Sequence, residues 1–177
     1  IFSGHTHFYE NQLPAPTIYE HNIGAACGAW WNSTINVDGT PNGYAIYNIK
    51  GATITDWVYK GTGLDAQQQI RLYRANDIFM RDYSKNYQFY YKGDDQIVAN
   101  VWNADKDWKI EVYENGIKTG EMTHFDYTGN EKDKSWDAWA LGYHIGVVGK
   151  AELDSNKKPT SYYQRNVRHL YYYTLQS

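Results

Sequence analysis

Short runs that alternate apolar with polar residues, each closed by a turn signal, decide what this chain can become. Tyr44-Ala45-Ile46-Tyr47-Asn48-Ile49 and Thr53-Ile54-Thr55-Asp56-Trp57-Val58-Tyr59 flank the turn Lys50-Gly51. β-Branched and aromatic residues at period two suit a pleated, half-buried surface, so the spacing predicts a hairpin. Glycines at 61 and 63 break the pattern, and a new strand is predicted over 69–74. Runs 97–102 and 108–113 alternate as half-buried strands joined by a turn over 103–107. Asn115-Gly116 is a strong hairpin turn signal leading into 117–122, and 166–174 alternates again. No long amphipathic helix, internal repeat or low-complexity tract interrupts the series; the polar stretch 126–134 reads as a loop. Regularly spaced short strands predict a mainly β chain ending in a β-sandwich.

A chain of 177 residues buries about 70% of its unfolded surface, enough for one domain or one domain plus a remnant of another. Seventeen basic residues against 20 acidic give a net charge of -3, which argues against a general nucleic-acid surface. No apolar run is long enough to span a membrane, and no basic-then-apolar leader is visible within these residues, which says nothing of a longer parent. Cys27 is the sole cysteine, so an internal disulfide is excluded. Its Ala26-Cys27-Gly28 setting suits a small buried residue better than a nucleophile.

Eighteen tyrosines and seven tryptophans are first of all core and cross-strand material. They also supply flat faces on which sugars stack while nearby Asp, Asn and Gln bond the hydroxyls. Trp102, Trp108, Trp136 and Trp139 are the candidate glycan contacts. Other constellations are weaker. His124, His144 and His169 lie on separate predicted elements, with no spacing that makes a zinc site. Glu111, Glu114, Asp126 and Asp137 make a glycosidase pair only if a cleft sets their separation. Arg71, Arg74 and Arg81 read as a solvated strand face.

The chemistry-bearing motif stands at the start: Ser3-Gly4-His5-Thr6-His7. Ile1-Phe2-Ser3 reads as the end of a buried strand running into a loop, and Gly4 lets the backbone bend. Two imidazoles at alternate positions of extended backbone project to one side, and neutral imidazole is the commonest side-chain metal ligand. Gly4-His5-Thr6-His7 resembles the last metal-binding motif, G-H-x-H, of the calcineurin-like metallophosphoesterases. Two later stretches look like the continuation found in a subgroup from Bacteroidetes-type bacteria: 19–31, containing Cys27-Gly28-Ala29-Trp30-Trp31, and Asp38-Gly39-Thr40-Pro41-Asn42-Gly43-Tyr44. In that subgroup a phosphoesterase domain precedes a β-rich domain.

The resemblance implies a two-metal phosphohydrolase in which His5 ligates one ion and His7 the other, the ions being Mn, Fe or Zn. The family's remaining ligands come from D-x-H, G-D-x-x-D, G-N-H-[DE] and a further histidine motif, all preceding G-H-x-H. None is met here: no aspartate has a histidine two positions on, Gly93-Asp94-Asp95-Gln96-Ile97 lacks the second aspartate, and Gly129-Asn130-Glu131 lacks histidine. Two imidazoles do not hold a binuclear centre. The expectation is therefore a C-terminal portion of such an enzyme, inactive by itself and binding no metal stably. Residues 1–66 would be the last strands of the catalytic domain and 67–177 a β-sandwich accessory domain, the alternatives for the latter being a carbohydrate-binding module and a purely structural domain. Its expected partners are the missing N-terminal phosphoesterase domain and a glycan or phosphorylated envelope component. The resemblance implies a periplasmic or cell-surface location.

Overall fold

The computed structural model describes residues 1–75, 95–125, 136–148 and 166–176. The chain is mainly β, the class that alternation predicts. A three-stranded sheet holds β1 (Phe2–Ser3), β3 (Ile18–Asn22) and β2 (Glu10–Ala15) in that order, with β1 parallel to β3. β4 (Gly43–Lys50) and β5 (Thr53–Gly61) form the hairpin read from sequence. A four-stranded sheet is built from β6 (Ile70–Arg74), β7 (Gln96–Val101), β10 (Thr123–His124) and β11 (Leu170–Thr174), in the order β10-β11-β7-β6. β8 (Glu111–Glu114) and β9 (Ile117–Glu121) turn at Asn115-Gly116, where φ is 50° and 81°, the double positive φ that selects Asn-Gly. A short helix α1 (Ala138–Gly142) continues into a π-helical turn (Tyr143–Val148). The loop expected over 126–134, Asp126 and Arg81 lie outside the described residues.

Two hydrophobic clusters link the beginning of the chain to its later elements. Tyr9, Tyr59 and Trp102 pack together, and Phe8, Ala29 and Val37 pack with Leu141 of α1. Tyr9 donates from its hydroxyl to Asn103 Oδ1 at 2.9 Å and Tyr59 to the Pro41 carbonyl at 2.7 Å, so both buried tyrosines keep their hydroxyls satisfied. Two other clusters lie around the four-stranded sheet, one on Tyr73, Val98, Ala138, Val167 and Leu170, the other on Ala99, Val101, Ala104 and Tyr171.

Between these clusters sits a buried polar hub on the loop 36–42. Asp38, 1% exposed, accepts from Tyr9 N (2.8 Å) and His169 Nε2 (3.0 Å) through one oxygen. Its other oxygen accepts from Thr40 N (3.2 Å) and Thr40 Oγ1 (2.9 Å). Asn100 of β7 donates to the Asp38 carbonyl at 2.8 Å and to Asp137, whose other oxygen caps α1 at Ala140 N. Gly39 has φ +87°, and a Cβ there would stand 2.6 Å from Asp137 Oδ2, so only glycine fits. Arg71 donates to the Gly39 carbonyl and lies 3.9 Å over the Trp139 ring. The solvated arginine face expected at Arg71 is corrected: its guanidinium is drawn inward by the Gly39 carbonyl and the Trp139 face.

His144, 1% exposed, packs beside this hub. Burial pushes its pKa down to about 4, against hydrogen bonds with the backbone of Ala140 and Ile35 and the nearby Asp38 charge. An imidazole that protonates near pH 6.5 unfolded and near 4 folded takes up more protons in the unfolded chain between those values. Stability is therefore lost as pH falls through that window, by up to about 3 kcal/mol. Urea unfolding of the wild type and His144→Gln from pH 7 to 4.5 checks this. The variant is expected to lose less stability over that range, and an identical pH slope would contradict the assignment.

Candidate functional site

The motif loop leaves β1 and turns back to start β2, and β3 dictates how. Thr6 donates from Oγ1 to Asn22 Oδ1 at 3.0 Å, while Asn22 Nδ2 donates to the Phe8 carbonyl at 2.8 Å. This closure bends residues 4–8, and the extended backbone expected for the two histidines does not form: φ is +75° at His5 and +58° at His7. His5 is exposed and His7 is 6% exposed. The strand preceding them is present as β1, but Ile1 and Phe2 are 65% and 54% exposed, so the buried strand expected there is corrected to an open edge.

The loop 25–35 builds the wall against His7. Gly28 turns with φ +64°, and a Cβ would fall 2.3 Å from Asn42 Oδ1 and 2.4 Å from the Ser33 carbonyl, a position only glycine occupies. That turn aims the Gly28 carbonyl at His7 Nδ1, 2.5 Å away. A carbonyl only accepts, so the contact places the proton on Nδ1. Trp30 N, 3.4 Å from the same atom, is too distant to compete for it. The neutral ring's lone pair then lies on Nε2, which makes no hydrogen bond among the described residues. Nδ1–H bonded to a backbone carbonyl with Nε2 bare is the arrangement that fixes a metal-ligating histidine.

Aromatic rings fix the orientation further. Trp30 stacks on His7 with centroids 4.9 Å apart and planes at 22°, and Trp31 meets the same ring edge-on at 5.9 Å. Both tryptophans carry positive φ, 48° and 59°, and stay 48% and 75% exposed. Left-handed backbone at His5, His7, Trp30 and Trp31 costs about 1–3 kcal/mol each, a strain that collects at functional sites. Cys27 is half-buried, its Sγ 3.9 Å from His7 Nδ1. The donor set thus suits an imidazole ligand at His7, while no group of three or more His, Cys, Asp or Glu among the described residues is placed to hold a metal ion.

The candidate tryptophans separate. Trp102 is 2% exposed in the cluster with Tyr9 and Tyr59. Trp136 packs on the cluster around Phe8 and Leu141. Trp139 stacks on Tyr143 at 5.3 Å beneath Arg71. Trp108 is 40% exposed on the turn before β8. His169 joins Asp38, His144 lies buried beside it, and His124 holds the Arg168 carbonyl at 2.6 Å. Asp137 is spent on the α1 cap, and Glu111 pairs with Lys118 on the exposed β8–β9 hairpin. The Gly28 carbonyl and the Trp30 ring have no periodicity that marks them; the adjacent Gly28-Ala29-Trp30-Trp31 was the available signal.

A family model described as the C terminal of calcineurin-like phosphoesterase matches residues 20–177. His5 and His7 precede the matched residues, whereas Gly28, Trp30 and the Asp38 hub lie within them. No curated protein and no solved structure matches the chain.

Proposed function

The chain belongs to the C-terminal family of the calcineurin-like phosphoesterases, and from that premise we propose that it completes the metal centre of a phosphohydrolase through His7 and His5. One observation carries the reading: His7 Nδ1 is tied to the Gly28 carbonyl and its ring is stacked on Trp30, which fixes the ring and leaves Nε2 without a hydrogen bond among the described residues. His5, exposed two residues earlier, would serve the second ion. Two divalent cations, Mn, Fe or Zn, supply Lewis-acid polarisation of a phosphoryl oxygen and a hydroxide nucleophile.

The carboxylates and remaining histidines such a centre needs would come from the catalytic domain as partner. Residues 1–66 would be its terminal strands and 67–177 a β-rich accessory domain. Support for this docking is an open edge at β1, which pairs with β3 alone among the described residues, and exposed Phe2, Tyr44 and Ile46 nearby in the same part of the chain. The proposed site of action is the periplasm or cell surface. The test is hydrolysis of para-nitrophenyl phosphate and its bis ester with Mn, Zn or Fe. The purified 177-residue chain is expected to show no turnover above buffer, and the complete phosphoesterase to turn over both or one of them. Turnover by the chain alone would contradict the shared centre.

A further inference from the structure

A cleft that does not include His7 opens between the β2–β3 hairpin and the turn that follows β7. Its volume is about 650 Å³, and Asn11, Gln12, Tyr19, Asp105 and Trp108 are among its walls. A second cavity of about 340 Å³ shares Leu13, Tyr19, Asp105 and Lys106 with it and runs on to Trp57. Together they form an extended groove rather than a closed hole.

The groove's polar groups are held in place. Asp105 accepts from the Tyr19 hydroxyl and from Lys106 N at 2.7 Å. Asn11 Nδ2 donates to the Ala104 carbonyl at 2.9 Å, and Gln12 Nε2 to Glu20 at 2.9 Å. Its cations are already matched: Lys106 pairs with Asp107 and Arg168 with Glu10. An anion entering here would face the Asp105 carboxylate with its counter-charges already engaged, so the chemistry favours an uncharged ligand rich in hydroxyls.

Trp108 decides the class of ligand. Its ring makes no ring contact or hydrogen bond among the described residues and is 40% exposed on the groove wall. The rings of Trp30, Trp57 and Trp139, by contrast, each have an aromatic partner. A bare indole face carries partial negative charge that attracts the C–H face of a pyranose, and a carboxylate with an amide nearby suits its hydroxyls. We propose that this groove binds a neutral oligosaccharide, one sugar face on Trp108 and its hydroxyls on Asp105 and Gln12. The site stands apart from the metal reading and holds whether or not His7 ligates an ion.

The test titrates the 177-residue chain with soluble β-glucan, α-glucan, xylan and mannan oligosaccharides, following tryptophan fluorescence and heat. At least one series is expected to saturate with Kd below about 1 mM. Trp108→Ala is expected to weaken that binding about tenfold or more, and Leu72→Ala, at an exposed position of β6 that lines neither cavity, to leave it unchanged. Three results would overturn the assignment: no saturation by any series, binding that survives Trp108→Ala, or competition by inorganic phosphate. Trp108 lies exposed on a turn, so its loss leaves the fold intact, and thermal melting of the variant verifies this.

Discussion

Replacing Asp38 with alanine is expected to cost about 3–5 kcal/mol and to leave much of the chain unfolded at neutral pH. The carboxylate is 1% exposed and takes four hydrogen bonds, from Tyr9 N, His169 Nε2, Thr40 N and Thr40 Oγ1. Truncation leaves each of those donors buried without an acceptor, and an orphaned buried donor costs about 1–3 kcal/mol where a made hydrogen bond contributes only about 1. The damage also spreads, because the same loop is tied to β7 through Asn100 and to β6 through Arg71. Asp38→Asn keeps the shape and part of the acceptor capacity and is expected to cost less than half as much. Urea midpoints at pH 7 for both variants check the order. A double-mutant cycle with His169→Gln is expected to show coupling, since the two residues share a buried contact. If Asp38→Ala unfolds at the wild-type midpoint, the hub is not what joins these elements.

The resembling stretch Asp38-Gly39-Thr40-Pro41-Asn42-Gly43-Tyr44 is thereby given a physical reason: it builds this hub and launches β4. That reason was invisible in the sequence, where Asp38 reads as a turn aspartate and its partners lie as far away as His169. Hairpins were legible because they are local. Alternation and the glycine turns placed β4–β5 and β8–β9 within a few residues. The β2–β3 hairpin is not marked by alternation, because Pro14 and Pro16 interrupt its run. Pro14 is accommodated because β2 lies at a sheet edge, where a missing N–H costs nothing. α1 spans five residues, too few for a helical period to register.

The motif histidines show the same division. Their identity was legible, and their conformation was not, because Asn22 and the loop 25–35 bend the backbone that a strand-to-loop reading leaves extended. Among the tryptophans, alternation assigns Trp102 and Trp108 to neighbouring strands on equal terms. Packing against Tyr9 and Tyr59 buries one, and the turn before β8 exposes the other.

The second large effect concerns His7. In the complete phosphoesterase, His7→Ala is expected to weaken metal binding by more than the 10–100-fold typical of losing a supporting partner, and to abolish phosphoester hydrolysis with it. Trp30→Ala, which removes the stacked ring but keeps the imidazole, is expected to fall within that 10–100-fold range. The order of the two variants separates a ligand from a packing residue. If His7 served packing alone, removing either member of the stack would have similar consequences for stability and none for the metal.

Metal content is the most direct measurement of the proposed role. The complete phosphoesterase, dialysed after loading with Mn, Zn or Fe, is expected to retain about two equivalents per chain. His7→Ala should retain at most one while melting close to the wild type. Full metal occupancy in a folded His7→Ala enzyme would contradict the reading that this chain supplies a ligand to the catalytic centre.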